Sequence, residues 1–315
     1  MKVQSFREVI DAPIPEFVSW MGDRLLVPGG RVLLYGSPAT YKSFAVQWLL
    51  YCLATGTDWY GQTVHYPGNT LYVEVEIGDY MFQERTLSIH KEYGPTEGAF
   101  YSTDYSVKLA NQADADEIIK QVKAHDIQMV FMDPVNLIMR GSERNDEHVA
   151  NFLGLCNYIS GITGCAIGCV HHSRKGQYTA AGRIDAGPEE ASGVKNFWSW
   201  ADTMIRLVKV PGMPDTVKLS YEKHRHTRGN IPFIYLELNQ DKGLLLPSAT
   251  DPITLLTAML ESGPRRINEV DNLLEELHIA VNKRGEFRNN LIEQGVVEEM
   301  QDPEQKKFKM LRLRR

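Results

Sequence analysis

The chain has 315 residues, 43% hydrophobic and 23% charged, enough for a sizeable core and for a core domain with a smaller appendage. A net charge of -6 excludes a body that coats nucleic acid over its whole surface, so any such contact has to come from local basic loops. No apolar run approaches the ~18 residues of a membrane-spanning helix, and the N-terminus MKVQSFREVIDAPIPEF has acids and prolines where a signal peptide is apolar, so a cytoplasmic protein with no membrane partner is expected.

In chain order, residues 1–25 read as an N-terminal extension too short to fold alone. Residues 26–247 read as one core. Within it, the apolar runs RVLLYG (31–36), TLYVEVE (70–76), QMVFMD (128–133) and CAIGCVH (165–171) alternate with helix-like stretches. Continuous apolar runs are what strands buried on both faces require, and the alternation predicts an α/β fold with a mainly parallel sheet. Gly56, Gly94 and Gly161 are read as helix stops. From Ala201, the runs ADTMIRLVKV, TVKLSYEKH, IPFIYLELN and GLLL read as successive antiparallel strands extending the sheet. After a linker near LPSATDP, residues 252–315 read as three short helices and a hairpin, the pattern of a winged helix-turn-helix. Its third helix carries Lys283, Arg284 and Arg288, and its wing Lys306, Lys307 and Lys309; a three-helix packing module with solvated charges stands beside that reading. The four cysteines follow no disulfide framework. Cys165 and Cys169, near His171 and His172, match no standard zinc spacing and read as small buried hydrophobes.

The octamer Gly36-Ser37-Pro38-Ala39-Thr40-Tyr41-Lys42-Ser43 lies between a strand and a helix, the context of a phosphate-binding loop. Backbone N–H groups and the helix dipole there favour the negative charge of ATP. Lys42 is expected on the β- and γ-phosphates and the Ser43 hydroxyl on Mg²⁺. Two residues depart from the pattern: Tyr41 stands where a glycine is usual, and Pro38 removes one donor.

Downstream residues supply the rest of a phosphoryl-transfer site. Asp133 ends an apolar run, where a carboxylate can hold the Mg²⁺ shell through water. Glu76 ends the run after the loop helix and can polarise the attacking water, with Glu74 as runner-up and Arg85 nine residues further on. In VHHSRK, His172 is placed to sense the γ-phosphate, while His171 reads as structural. Two stretches without helical or strand period carry basic residues suited to single-stranded DNA: MRGSERND with Arg140 and Arg144, and SRKGQYTAAGRIDAGPEE with Arg174, Lys175, Tyr178 and Arg183. Solvated charge is the plainer reading of both. Lys223 and Arg225, two apart, are expected on one side of a strand, within reach of a neighbouring subunit's nucleotide.

In this order, GSPATYKS, Glu76 with Arg85, Asp133, VHHSRK, ASGVKNFWSWAD and the Lys223/Arg225 pair resemble the RecA-like hexameric helicases. The likeness is to the RepA-like replication ATPases in particular and to DnaB more distantly. The resemblance implies a RecA-like P-loop core and a homo-oligomeric ring, usually a hexamer, with ATP between subunits. Lys42, Ser43, Glu76, Asp133 and His172 would act in cis, Lys223 and Arg225 in trans, and the two basic loops would grip DNA in a central channel. An ATP-dependent DNA helicase or translocase is therefore expected. The alternatives are a RecA- or KaiC-like ATPase acting as recombination mediator or helicase loader without unwinding, and a nucleotide-binding DNA regulator.

Overall fold

The computed structural model describes residues 4–12, 18–172, 177–179, 182–184, 194–210, 213–229, 231–248, 252–277, 279, 281–293 and 295–314. The elements run α1 (Phe6–Asp11), β1 (Arg31–Gly36), α2 (Lys42–Thr55), β2 (Asn69–Glu74), α3 (Asp79–Tyr93), β3 (Ala99–Ser102), α4 (Gln112–Ala124), β4 (Ile127–Asp133), α5 (Val135–Ile138) and α6 (Asp146–Thr163). They continue as β5 (Ala166–His172), β6 (Gln177–Thr179), β7 (Gly182–Ile184), α7 (Val194–Trp200), β8 (Thr203–Val210), β9 (Met213–His224), β10 (Ile234–Asn239) and β11 (Leu244–Pro247). Last come α8 (Pro252–Glu261), β12 (Arg265–Arg266), α9 (Ile267–Glu276), α10 (Val281–Glu293), β13 (Val297–Gln301) and β14 (Lys309–Leu313).

A nine-stranded sheet in the order β11-β10-β9-β8-β1-β5-β4-β2-β3 forms the middle layer. Side chains alternate along its strands between two cores. Leu34, Met129 and Phe131 pack with α2 and α3 on one face, whereas Leu33, Tyr35, Val130 and Met132 pack with α4, α6 and α7 on the other. This is the expected α/β class, a mainly parallel sheet extended by antiparallel strands. The expected antiparallel meander is β8, β9, β10 and β11, and its first strand, β8, joins the sheet by pairing parallel with β1. The reason is α7, unforeseen in the sequence, which lies in the connection from β5 to β8; a crossover connection returns the chain in the same direction. The edge strand β3 is likewise new, because its half-buried residues form no apolar run.

The α2 helix is buried along most of its length, from Ala45 to Leu53. Trp48 stacks on Tyr51 at 5.5 Å, and the Trp59 indole donates to the Ala45 carbonyl at 3.2 Å. Gly56 and Gly94 cap α2 and α3. The stop of α6 is Gly164 rather than Gly161: the Thr163 hydroxyl bonds the Ile159 carbonyl, and the left-handed residue falls one step later, at φ 76°. The stretch after His172 was expected to lack strands, yet β6 and β7 pair there as a short antiparallel hairpin.

Residues from α8 onward build a third core around Leu256, Leu274, Phe287 and Leu311, with β12, β14 and β13 as a three-stranded sheet. The sequence of elements, helix–strand–helix–helix–hairpin, agrees with the winged-helix reading. Three of its basic residues, however, are held in ion pairs. Arg284 pairs with Glu275 at 3.1 Å, Arg288 with Asp271, and Lys309 with Glu299 at 2.7 Å.

Candidate nucleotide-binding site

Strand register brings the candidate residues to one edge. In the parallel ladders Gly36 lies opposite His172, and Glu74 opposite Asp133, with β5 between β1 and β4. The carboxyl ends of β1, β5, β4 and β2 therefore finish level, which is where open α/β sheets bind ligands. Gly36 must be glycine, since a Cβ there would stand 2.2 Å from the Leu207 carbonyl oxygen of β8.

From Gly36 the chain turns directly into α2, whose first residue is Lys42. The Ser37 carbonyl accepts from both the Thr40 hydroxyl at 2.8 Å and the Lys42 ammonium at 2.9 Å, closing the loop on itself. Two non-glycine residues of the loop are left-handed, Ala39 at φ 61° and Tyr41 at φ 60°. Each such residue costs about 1–3 kcal/mol unless its surroundings hold it. Tyr41 is held. Its hydroxyl donates to Asp215 at 3.1 Å, Lys209 lies 4.0 Å over its ring, and Phe44 meets it edge-on at 6.0 Å.

Lys42 is only 4% exposed, and burial lowers its pKa to about 8 against the pull of Asp133 and Glu76. Asp133 is buried at the end of β4 and accepts from the Tyr72 hydroxyl at 2.5 Å, while its Oδ1 has no hydrogen-bond partner among the described residues. Burial raises its pKa, and the Tyr72 and Ser43 hydroxyls oppose the rise. A buried carboxylate with one uncommitted oxygen beside a serine hydroxyl fits a hard divalent cation approached through water, so Ser43 and Asp133 suit Mg²⁺.

The two glutamates separate clearly. β2 ends at Glu74, not at Glu76 as expected. The Glu74 carboxylate is buried and turned back on the chain, where it accepts from the N–H groups of Glu76 at 2.8 Å and Ile77 at 2.9 Å. That capping occupies Glu74. Glu76, two residues beyond the strand, is the exposed one, and its carboxylate lies 3.6 Å from His172 Nε2, too far for a hydrogen bond. Neither His172 nitrogen has a hydrogen-bond partner among the described residues. Burial, with Lys42 close by, lowers the His172 pKa and keeps the ring neutral at pH 7. His171 is fully engaged, with Nδ1 3.0 Å from Glu143 and its ring stacked on Phe197 at 5.4 Å. Arg85 packs over the Phe44 ring at 4.1 Å, and burial lowers its pKa against the pull of Tyr72, Glu74 and Asp133.

Lys223 and Arg225 are not strand-mates, because β9 ends at His224. Both turn onto their own chain at the end of α7. Lys223 donates to the Trp198 carbonyl, and Arg225 bonds Asp202 at 2.7 Å and the Ser199 carbonyl at 3.3 Å. Asp202 also takes Arg31 in a two-pronged pair, both contacts at 2.9 Å. Of the expected DNA contacts, Arg140 and Arg144 are exposed beyond β4, on the segment that Glu143 ties to His171. Arg183 lies on β7, and Arg174 and Lys175 lie outside the described residues. The sequence reading missed Tyr72, Asp215 and Lys209. Tyr72 carries a faint signal, two residues before Glu74 on an alternating strand; the other two carry none, being far away in the chain.

A family model described as AAA domain matches residues 2–178, more than half of the chain. Among solved structures, a KaiC-like protein from Pyrococcus horikoshii is similar at 15% identity and a TM-score of 0.49, over 74% of this chain and 99% of that one. The flagellar accessory protein FlaH from Methanocaldococcus jannaschii is similar at 14% identity and a TM-score of 0.47, over 70% of this chain and 90% of that one. No curated protein matches the chain.

Proposed function

The chain belongs to the AAA domain family, and from that premise we propose that it is an ATPase that moves along or unwinds DNA as a homo-oligomeric ring. The observation that carries the ATPase part is the convergence of Lys42, Ser43, Asp133, Glu76 and His172 on one sheet edge around the phosphate loop. Phosphoryl transfer needs positioning and charge compensation more than covalent help, and this set supplies both.

Each residue has a definite task. The loop N–H groups and the α2 N-terminus bind the phosphates, and the Lys42 ammonium exchanges its Ser37 carbonyl for phosphate oxygens. That exchange gives the buried Lys42 ammonium a charge compensation that the Ser37 carbonyl does not supply. Ser43 and Asp133 hold Mg²⁺, which when bound neutralises phosphate charge. Glu76, the uncommitted glutamate, orients water and accepts its proton at the carboxylate. Neutral His172 lies 3.6 Å from Glu76 with Lys42 close by, so its free nitrogens can report the γ-phosphate to the segment that follows β5.

The DNA part rests on the exposed Arg140 and Arg144 and on Arg174, Lys175 and Arg183 beyond β5, all following strand ends at the same edge. Lys223 and Arg225 are the candidates for a contribution in trans. Because they hold the end of α7 in the single chain, that role requires a switch from Trp198 and Asp202 to the neighbour's nucleotide. Residues 1–25 then form an extension, 26–247 the ATPase core and 252–315 a winged-helix-like domain. The ion pairs of Arg284, Arg288 and Lys309 count against that domain as the main DNA-binding surface.

ATP turnover measured with and without single-stranded DNA tests the reading. Stimulation by DNA that survives removal of residues 252–315 is expected. Turnover indifferent to nucleic acid would leave an ATPase that switches state without unwinding, as a mediator or loader does. Loss of all DNA binding on that deletion would point instead to a regulator.

A further inference from the structure

We propose that the β8–β9 hairpin is a positioning element of the nucleotide site, which through Asp215 and Lys209 holds Tyr41 in the left-handed conformation that the phosphate loop requires. The inference rests on the reading of Gly36–Ser43 as a nucleotide site. It goes beyond that reading by assigning two residues, 168 or more positions away in the chain, to the loop's geometry.

The residue before the loop lysine is left-handed here, at φ 60° and ψ 26°. Glycine adopts this conformation freely, whereas a side chain with a Cβ does so at a cost. Left alone, Tyr41 relaxes to negative φ. That rotation turns the peptide between Tyr41 and Lys42, and with it the first N–H of α2, away from the phosphate position. A tyrosine can stand at this place only if something outside the loop holds it.

The hairpin is built to do so. β8 runs parallel to β1, with Leu207 opposite Gly36, so Lys209 and Val210 continue past the last residue of β1 to the level of the loop. On the return strand the register breaks: Lys209 pairs with Val217 but Val210 with Met213. Residues 214–216 thus bulge out of the ladder with β8, and Asp215 is in the bulge. Bulges re-aim a side chain in this way. Asp215 accepts from the Tyr41 hydroxyl at 3.1 Å while the Lys209 ammonium lies 4.0 Å over the ring, so the ring is gripped at its edge and on its face. Phe44, one turn into α2, closes a third side at 6.0 Å. A glycine could use none of these contacts. In this chain the loop's conformation is set by tertiary contact and not by local freedom.

The test is the dissociation constant of a fluorescent ATP analogue with Mg²⁺, measured on the full chain. Tyr41→Phe and Asp215→Ala each weaken binding about tenfold, the loss of one charge-assisted hydrogen bond. The double variant is no weaker than either single one, because both remove the same contact. Asp215→Asn, whose amide oxygen still accepts from the Tyr41 hydroxyl, recovers most of the loss. In a Tyr41→Gly background, where the loop needs no support, Asp215→Ala has no further effect. An effect of Asp215→Ala that persists undiminished beside Tyr41→Gly, or wild-type binding by both Tyr41→Phe and Asp215→Ala, overturns the proposal and leaves the nucleotide site standing. Failure of the wild-type chain itself to bind the analogue overturns both.

Discussion

Replacing Lys42 with methionine should make the empty protein more stable while abolishing its ability to bind ATP productively. Lys42 is 4% exposed, and burial lowers its pKa from 10.5 to about 8. At ~1.36 kcal/mol for each pKa unit, the charged form costs the folded chain roughly 3 kcal/mol at pH 7. Methionine keeps the length of the side chain and removes the charge. The Ser37 carbonyl loses the ammonium but keeps the Thr40 hydroxyl at 2.8 Å, so about 1 kcal/mol is lost there. The net gain is about 2 kcal/mol. The pH dependence follows from the same shift. Between pH 8 and 10.5 the unfolded chain binds more protons at this position than the folded chain, so the stability of the wild type rises with pH across that window. The advantage of Lys42→Met is therefore complete below pH 8 and gone above 10.5. Urea denaturation followed by tryptophan fluorescence, both proteins side by side at pH 7 and pH 10.5 without nucleotide, measures it. A variant less stable than wild type at pH 7, or an advantage undiminished at pH 10.5, would refute the reasoning.

Asp202→Ala leaves Arg31 and Arg225 without their shared carboxylate; with both guanidinium groups partly solvated, we expect a loss of about 2 kcal/mol and a drop in Tm of about 4–8 °C. Asp202→Asn, which still accepts from Arg31, should lose less in the same thermal scan. His172→Ala should keep ATP affinity within about threefold and lose roughly a hundredfold in turnover, whereas His172→Gln, with an amide in place of the ring, should lose no more than about tenfold. Burial favours the neutral ring, so wild-type turnover should fall on acidification as His172 takes up a proton, at a pH lower than an ordinary histidine would require. The Gln variant should lack that limb of the pH profile.

The sequence made the residues of this site legible because phosphate chemistry restricts the residue types. A Lys-Ser pair opening a buried helix and an acid closing an apolar run have few other uses at those places, and Lys42, Ser43 and Asp133 are found there. Their supports were not legible. Tyr72 reaches Asp133 across a strand pairing that no local pattern encodes, and Asp215 reaches Tyr41 only because β8 overshoots β1. Choosing between Glu74 and Glu76 needed the turn geometry, since two-residue alternation puts both on one side as long as the strand continues. It stops at Glu74. The crossover into β8 was not legible for a related reason: the helix Val194–Trp200 follows a stretch without periodicity and leaves no signal. The pattern of Lys223 and Arg225 points to a neighbouring subunit, and only folding brings the Trp198 carbonyl and Asp202 to them.

The central claim, that Glu76 completes a hydrolytic site around the phosphate loop, is tested most directly by Glu76→Gln. Affinity for ATP with Mg²⁺ and the rate of phosphate release should be measured on the same preparation, beside the wild type. Because Glu76 is exposed and outside the loop's own hydrogen bonds, affinity should stay within about threefold while phosphate release falls by at least about a hundredfold. Wild-type phosphate release from the Glu76→Gln protein, with Glu74→Gln inactive, would contradict the account and move the catalytic role to the buried glutamate.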